Sequence, residues 1–508
     1  MVSAMDGTLQ VFNAMGDTLF PADTVIKQKT LTRKGSEKDV PLYRVGASYG
    51  PLVGMASDGK DVYSLHTTKL VKTSFVGGLP TQEAIAIDSA VVGPVIVDGK
   101  IYYTTTKGIF AYNIKEGKAT AQRNVGMNSD LADIADLVYC GTEDGKPAFA
   151  YYVASEGSAY LHGAEVKLKG RSGEKFRLSC TDLNRDGKEE MIAVGSRGTV
   201  TVSTAVDEKT DLKWTKNYKR GAGGTSGLKD ETSGIAIGDV NGDGYPEIVF
   251  LGDNLVYALD RSGLPIAGFP VKISRGAPVY GFFSDPVLVD VTGDEIPEIL
   301  VPSSDGLVYA VSGKGKLLTD GFPIAAGSYE DMDSTSVIQP MSIFVTNAVS
   351  DKKSAGPELY ALHRDNLSAF RLRGASADAA SSVAAWTLPA GGNERTGYFD
   401  ASKLGDVKKV TAKDEISEFF MFPNPVRGGD AKARFEIGAA AKKATLELYD
   451  ITGLCVFKTK MSDVKQGRNQ FEKLDLKHLG SDVYTARLKV EFESGKTKQK
   501  LYRVGVIK

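Results

Sequence analysis

Two stretches of this chain read as copies of one another, and that constrains its fold more than any other feature. Ile235–Val271 and Val287–Ile324 both run apolar strand, acidic loop, Pro-Glu, apolar strand, short turn, L-V-Y-A, Gly turn and a closing G-F-P. Phe176–Tyr218 repeats the first half of the pattern as LSCTDLNRDGKEEMIAVGSRGTVTVST. Each unit holds several short apolar, β-branched or aromatic runs separated by Gly, Asp and Asn, which predicts a four-stranded antiparallel meander. One such sheet cannot bury both faces by itself. Repeated sheets must therefore pack on each other, and radial closure gives a propeller.

Weaker copies extend upstream in Val53–Pro80, Val91–Asn124 and Leu137–Gly170, where the acidic loop shortens to an Asp-Gly hairpin turn. Met341–Pro389 supplies a further full unit, whereas SAMDGTLQVFNAMGDTLFP near the start matches only the second half of one. The expectation is an all-β chain with a seven- or eight-bladed β-propeller over residues 1–392, its first blade incomplete. The excess of Gly, 56 residues, fits many tight turns between short strands.

Three units carry oxygen side chains at alternate positions of the acidic loop. The first has Asp182, Asn184, Asp186, Lys188 and Glu190; the second has Asp239, Asn241, Asp243, Tyr245 and Glu247; the third has Asp290, Thr292, Asp294, Ile296 and Glu298. A short loop wraps calcium only if alternate residues turn inward to supply hard oxygens, and Lys188, Tyr245 and Ile296 would contribute backbone carbonyls. Gly187 and Gly244 stand where a sharp turn needs positive φ; Glu295 replaces Gly in the third loop. The loops lie between strands, and in this they resemble the calcium loops of FG-GAP/VCBS-type propeller repeats. The resemblance is strongest over 176–325 and implies two or three structural Ca2+ ions.

After Pro389 the composition turns polar, and residues 393–417 are expected to be a linker. Residues 418–508 then show short alternating strands that predict an Ig-like β-sandwich. Phe422-Pro423-Asn424-Pro425-Val426, the turn Tyr449-Asp450-Ile451-Thr452-Gly453 and the strand Val483-Tyr484-Thr485-Ala486-Arg487-Leu488 occur in that order. Together they resemble the C-terminal sorting domain of type IX secretion, although Asp482 stands where that family usually has Gly. The resemblance implies a tail read by the type IX translocon and a secreted or bacterial outer-surface location. MVSAMDGTLQVFN has neither a basic start nor an apolar core, so it is not a signal peptide. With the half-unit start, this leads to the expectation that the chain is the C-terminal part of a longer protein.

Formal net charge is −1, which gives no electrostatic footprint for nucleic acid, and no apolar run is long enough to span a membrane. Three cysteines do not make a disulfide framework, and Cys140 and Cys180, both in apolar runs, are expected to be plain buried side chains. His66, His162, His363 and His478 fall in different units without metal-ligand spacing, and Gly46-Ala47-Ser48-Tyr49-Gly50 lacks the helix that makes a nucleophile elbow. The reading is a non-catalytic scaffold, adhesion or binding module. The alternatives are a calcium-dependent polysaccharide lyase or hydrolase, or the accessory region of a secreted peptidase. A glycan or protein ligand would meet the face opposite the calcium hairpins, where Tyr280, Phe282, Phe283 and Tyr329 are candidates.

Overall fold

Among the described residues every regular element is a β-strand, apart from a 3-10 turn at Ala401–Lys403. The computed structural model describes residues 49–508 except 77–78, 106, 123–133, 171–172, 205–212, 219–233, 253–254, 274–284, 304–305, 327–340, 351–352, 364–365, 373–384, 389 and 407–413. Before residue 49 it describes only the strands Val2–Ser3, Leu9–Gln10, Val25–Arg33 and Ser36–Tyr43. Nearly all of residues 1–405 form one compact unit and residues 406–508 a second.

In the first unit the repeats become antiparallel meanders that follow one another along the chain. Their first strands are Leu52–Ser57, Ala90–Val97, Ile134–Glu143, Phe176–Thr181, Ala236–Gly238, Val287–Val289 and Met341–Ser350. The last of these sheets is extended by Val25–Arg33, which pairs parallel to Asn366–Arg371, and then by Ser36–Tyr43. Second strands such as Glu190–Gly195 and Glu247–Gly252 are buried along their whole length. That explains why they read as continuous apolar runs, without the alternation of a sheet with one wet face.

Each apolar cluster draws on two consecutive sheets. Tyr63 and Leu65 pack with Ile101 and Tyr103; Tyr102 with Leu137 and Phe149; Ala150 with Phe176 and Met191; Val289 and Leu300 with Ile343 and Leu359. Sheets are thus stacked face to face in sequence order. Burying one such side chain contributes roughly 1.5–3 kcal/mol.

What makes the stack radial is a strap, Trp386–Tyr398, that visits the first strands in turn. Trp386 exchanges two backbone hydrogen bonds with Leu288, and the carbonyl of Thr387 accepts from Val345 N–H at 3.0 Å. Asn393 then accepts from Ser57, Glu394 from Ile96, Thr396 from Tyr139 and Gly397 from Cys180, all at 2.8–2.9 Å. One short segment can bond to six first strands only if all six face a common axis. The ring is a β-propeller. The strap also gives partners to edge N–H groups that would otherwise stay unpaired around that axis. The stretch 393–417, expected as a linker, therefore starts inside the ring. Its glycines allow the path, since Gly391 and Gly397 have φ of 99° and 63°.

Cys140 and Cys180 are joined in a disulfide, which corrects the expectation of two unpaired thiols. Their separation of 40 residues is about one repeat, so they hold matching places on neighbouring first strands, with Cα atoms 5.2 Å apart. Local apolar context hid that juxtaposition.

The second unit has two sheets around one core. One contains Ile416–Phe422, Asp430–Ile437 and Gly467–Asp475; the other contains Val426–Arg427, Thr497–Ile507, Asp482–Phe492, Ala441–Tyr449 and Cys455–Val464. Phe435, Ile437 and Phe471 from the first meet Leu446, Leu448, Leu488 and Val504 from the second.

Candidate functional site

The three acidic loops adopt nearly the same hydrogen-bond pattern. In the first, the Asp182 carboxylate accepts N–H groups of Asp186 and Gly187 at 3.0 and 2.9 Å; Asp186 accepts from Lys188, and Glu190 from Leu183 at 2.8 Å. Asp239, Asp243 and Glu247 repeat these bonds with Asp243, Gly244, Tyr245 and Val240. Asp290, Asp294 and Glu298 repeat them with Asp294, Glu295, Ile296 and Val291. Gly187, Gly244 and Glu295 have φ of 91°, 89° and 67°, so the turn keeps its shape where Glu replaces Gly. Non-glycine residues seldom adopt this conformation, and here four backbone N–H groups on Asp290 hold it.

The closing glutamate of each loop is the chemically unusual member. Glu190, Glu247 and Glu298 each open a fully buried second strand. Burial, together with the nearby Asp186 and Asp182, pushes the Glu190 carboxyl up to about 8; burial does the same to Glu298, up to about 7. In the second loop burial raises Asp239 instead. Glu247 Oε1 accepts from Asn241 at 2.8 Å and Glu298 Oε1 faces Thr292 Oγ1 at 3.4 Å, but Glu190 Oε1 is buried with no hydrogen-bond partner among the described residues. An orphaned carboxylate oxygen beside two aspartates is a place where a cation would relieve both repulsion and desolvation.

Other features bear on this fit. Among the described residues no three His, Cys, Asp or Glu side chains converge tightly enough to form a metal site by themselves. Calcium, however, takes amide, hydroxyl and main-chain oxygens as readily as carboxylates. The N–H groups of Lys188, Tyr245 and Ile296 donate to Asp186, Asp243 and Asp294, and Tyr245 lies under the Arg261 guanidinium at 3.9 Å. Arg185 donates to the Gly244 carbonyl at 2.9 Å, linking the first two loops.

The aromatic residues proposed from sequence for a ligand face, Tyr280, Phe282, Phe283 and Tyr329, lie outside the described residues. Of the histidines, the ring of His66 is buried against Ser64 Oγ and the Gly50 carbonyl, His162 faces Glu143, and His478 reaches the Val456 carbonyl.

In the second unit the three tail motifs each do structural work. Asn424 ties its loop to the last strand through the Arg503 carbonyl and Gly505 N–H, both at 2.9 Å. Asp450 closes its turn by accepting from Thr452 and Leu454 N–H. Arg487 pairs with Glu447 at 2.7 Å and stacks 4.7 Å from the Tyr449 ring.

A family model described as an FG-GAP-like repeat matches residues 182–250, spanning the first two acidic loops. No curated protein matches the chain. Among solved structures, apo AztD from Citrobacter koseri is similar at 11% identity, with 73% of this chain and 93% of that chain covered and a TM-score of 0.35. Hsv2p from Kluyveromyces lactis is similar at 8% identity, covering 63% and 97%, with a TM-score of 0.32. The extracellular domain of a putative hybrid two-component system from B. thetaiotaomicron is similar at 11% identity, covering 99% and 90%, with a TM-score of 0.26. Likenesses this distant add nothing to the geometry of the ring itself.

Proposed function

We propose that this chain is a non-catalytic, extracytoplasmic scaffold or binding propeller whose acidic hairpins are ordered by calcium and whose C-terminal unit is a secretion tail. The observation that carries the calcium reading is the buried, unpartnered oxygen of Glu190 beside Asp182 and Asp186. In that reading Asp182, Asn184, Asp186 and Glu190 hold the first ion through side chains, with the equivalent residues of the other two loops holding theirs. Bound calcium offsets the clustered carboxylates of each loop and fixes the hairpin between the first two strands. The disulfide supports an oxidising compartment.

For the tail, the support is that its motifs tie together strands of a two-sheet unit that also exposes Ile451 and Val483, at 86% and 57%. Type IX export would read that folded surface. The deciding experiment for the ring is calorimetry in calcium and in chelator: a ring transition that does not move excludes the calcium reading. Attaching residues 406–508 to a periplasmic reporter in a bacterium with a type IX system tests the tail, and a reporter that stays in the periplasm excludes it.

A further inference from the structure

Where the first strands of the ring begin, a cavity of about 320 Å³ opens around the axis. Its wall carries Asp136, Arg177, Asp285 and Arg395 among valines, Pro94 and Trp386. These four charges come from separate parts of the chain: two first strands, a position two residues before a third, and the strap. The volume lies at the lower end of ligand sites, roughly 300–1,000 Å³, and suits a molecule of monosaccharide or amino-acid size.

The two signs are not equivalent here. Asp136 accepts N–H groups from Leu137 and Leu178 at 3.0 and 2.8 Å, and Asp285 accepts from Gly234 N–H. Both carboxylates are thus partly committed to the backbone. Arg395 senses Asp136 and Asp285 through space and Arg177 senses Asp285, yet neither guanidinium makes a direct hydrogen bond with another described residue. Arg177 is exposed and Arg395 half-buried, so both meet water in the cavity. Burial pushes the Asp285 carboxyl upward, while Arg177, Arg395 and the Gly234 N–H act against that. Trp386, 1% exposed, keeps an indole N–H with no acceptor among the described residues.

Space is kept for Arg395 by Gly54, where a Cβ would stand 2.6 Å from its Nη1 and 2.3 Å from the Gly93 carbonyl. Arg395 itself sits at φ 53°, a conformation held by the strap. The backbone therefore presents this guanidinium at some conformational cost, and no direct hydrogen bond with a described residue repays it.

We propose that this axial cavity binds a small organic carboxylate, its carboxyl group held by Arg177 and Arg395 and its body against the valines and Trp386. A guanidinium fork matches a carboxylate in two parallel hydrogen bonds, which a lysine would not reproduce. Two sources share this chemistry: an acidic sugar, or a free α-amino acid whose ammonium group would meet Asp136 or Asp285. The inference deepens the reading of the ring as a binding module and stands apart from its calcium loops.

Titration calorimetry on the full chain in calcium tests it, with glucuronate, glucose and leucine as probes. Saturable binding of glucuronate alone assigns an acidic sugar, and binding of leucine alone assigns an amino acid; glucose gives no heat in either case. Arg177→Met, at an exposed position, should melt like the parent and lose about tenfold or more in affinity, with Arg177→Lys recovering only part. Gly54→Ala, which intrudes on Arg395, should weaken binding in the same direction. No saturable binding of either acid, equal binding of glucose, or an unchanged affinity in Arg177→Met overturns the proposal. If calcium stabilises the ring while neither acid binds, only the cavity inference fails.

Discussion

Two buried glutamates, one in each unit, show how differently this chain treats the same charge. Glu190 in the ring is 0% exposed and Glu447 in the C-terminal unit 6%. Burial lifts the first to about 8, whereas Lys458 and Arg487 hold the second down to about 2. Lys458 lies 2.6 Å and Arg487 2.7 Å from the Glu447 carboxylate, and Tyr449 adds a hydrogen bond at 3.0 Å. The C-terminal unit encodes its own counter-charges. In the ring loop Glu190 answers mainly to burial and to the nearby carboxylates of Asp186 and Asp182, and a cation bound from solution is the counter-charge proposed for it.

The largest expected effect follows from that contrast. Calcium at a hundredfold excess over Kd should stabilise each occupied loop by about 2.7 kcal/mol, or about 8 kcal/mol for three independent loops. Differential scanning calorimetry should show the ring transition rising and the transition of residues 406–508 standing still. Glu190→Gln should remove about a third of the gain while raising the calcium-free transition, because a neutral amide no longer opposes burial. A tail transition that moves equally with calcium breaks the comparison.

The ring has a second prop that the tail lacks, since Cys455 in the tail is exposed and free. The Cys140–Cys180 bridge closes a loop of 40 residues, and its removal by Cys140→Ala should cost about 4 kcal/mol in chain-entropy terms. Chemical denaturation with and without reductant checks it. Reduction should lower the parent to the level of the variant and leave the variant unchanged.

Much of this architecture was legible because repetition and period-two patterning are local signals. The meanders, the acidic loops and their left-handed turns could be read from spacing, and so could the many short strands of residues 418–508. The strap was not. GGNERTG is polar and Gly-rich, which describes a linker equally well, and only the ring supplies the N–H groups that its carbonyls meet. The disulfide was hidden because its signal is a match of register between repeats, not a Cys motif. Asp136, Arg177, Asp285 and Arg395 were invisible for the same reason. They share a cavity through closure of the ring, while each alone reads as an ordinary surface charge.

The counter-charges in the tail give a sharper test than the ring, because the charges of that cluster can be taken away singly. Glu447→Ala leaves Lys458 and Arg487 facing one another without an anion, and with both cations in contact with solvent it should destabilise residues 406–508 by about 2 kcal/mol. Arg487→Met should cost less, since Lys458 still answers the carboxylate. Urea unfolding of the full chain, followed at the tail transition, measures both. Equal and negligible effects would mean that the Glu447 cluster is ornamental.

The smallest effect is also the most specific, because its sign is set by the direction of the shift. Glu447 is held at about 2 in the folded unit against an ordinary value of 4.5, so folding favours its ionised form. That stability is fully present above pH 4.5, fades as pH falls through the window toward 2, and is gone below it. Lys458 and Arg487 are 52% and 36% exposed, and solvent screening reduces the contribution to about 2 kcal/mol. Tail stability in the parent should therefore fall between about pH 5 and about pH 2 by that amount more than in Glu447→Gln, which has no proton to take up. Parallel declines in the two proteins would assign the acid sensitivity to other carboxylates, and the contrast between the two glutamates would then rest on Glu190 alone.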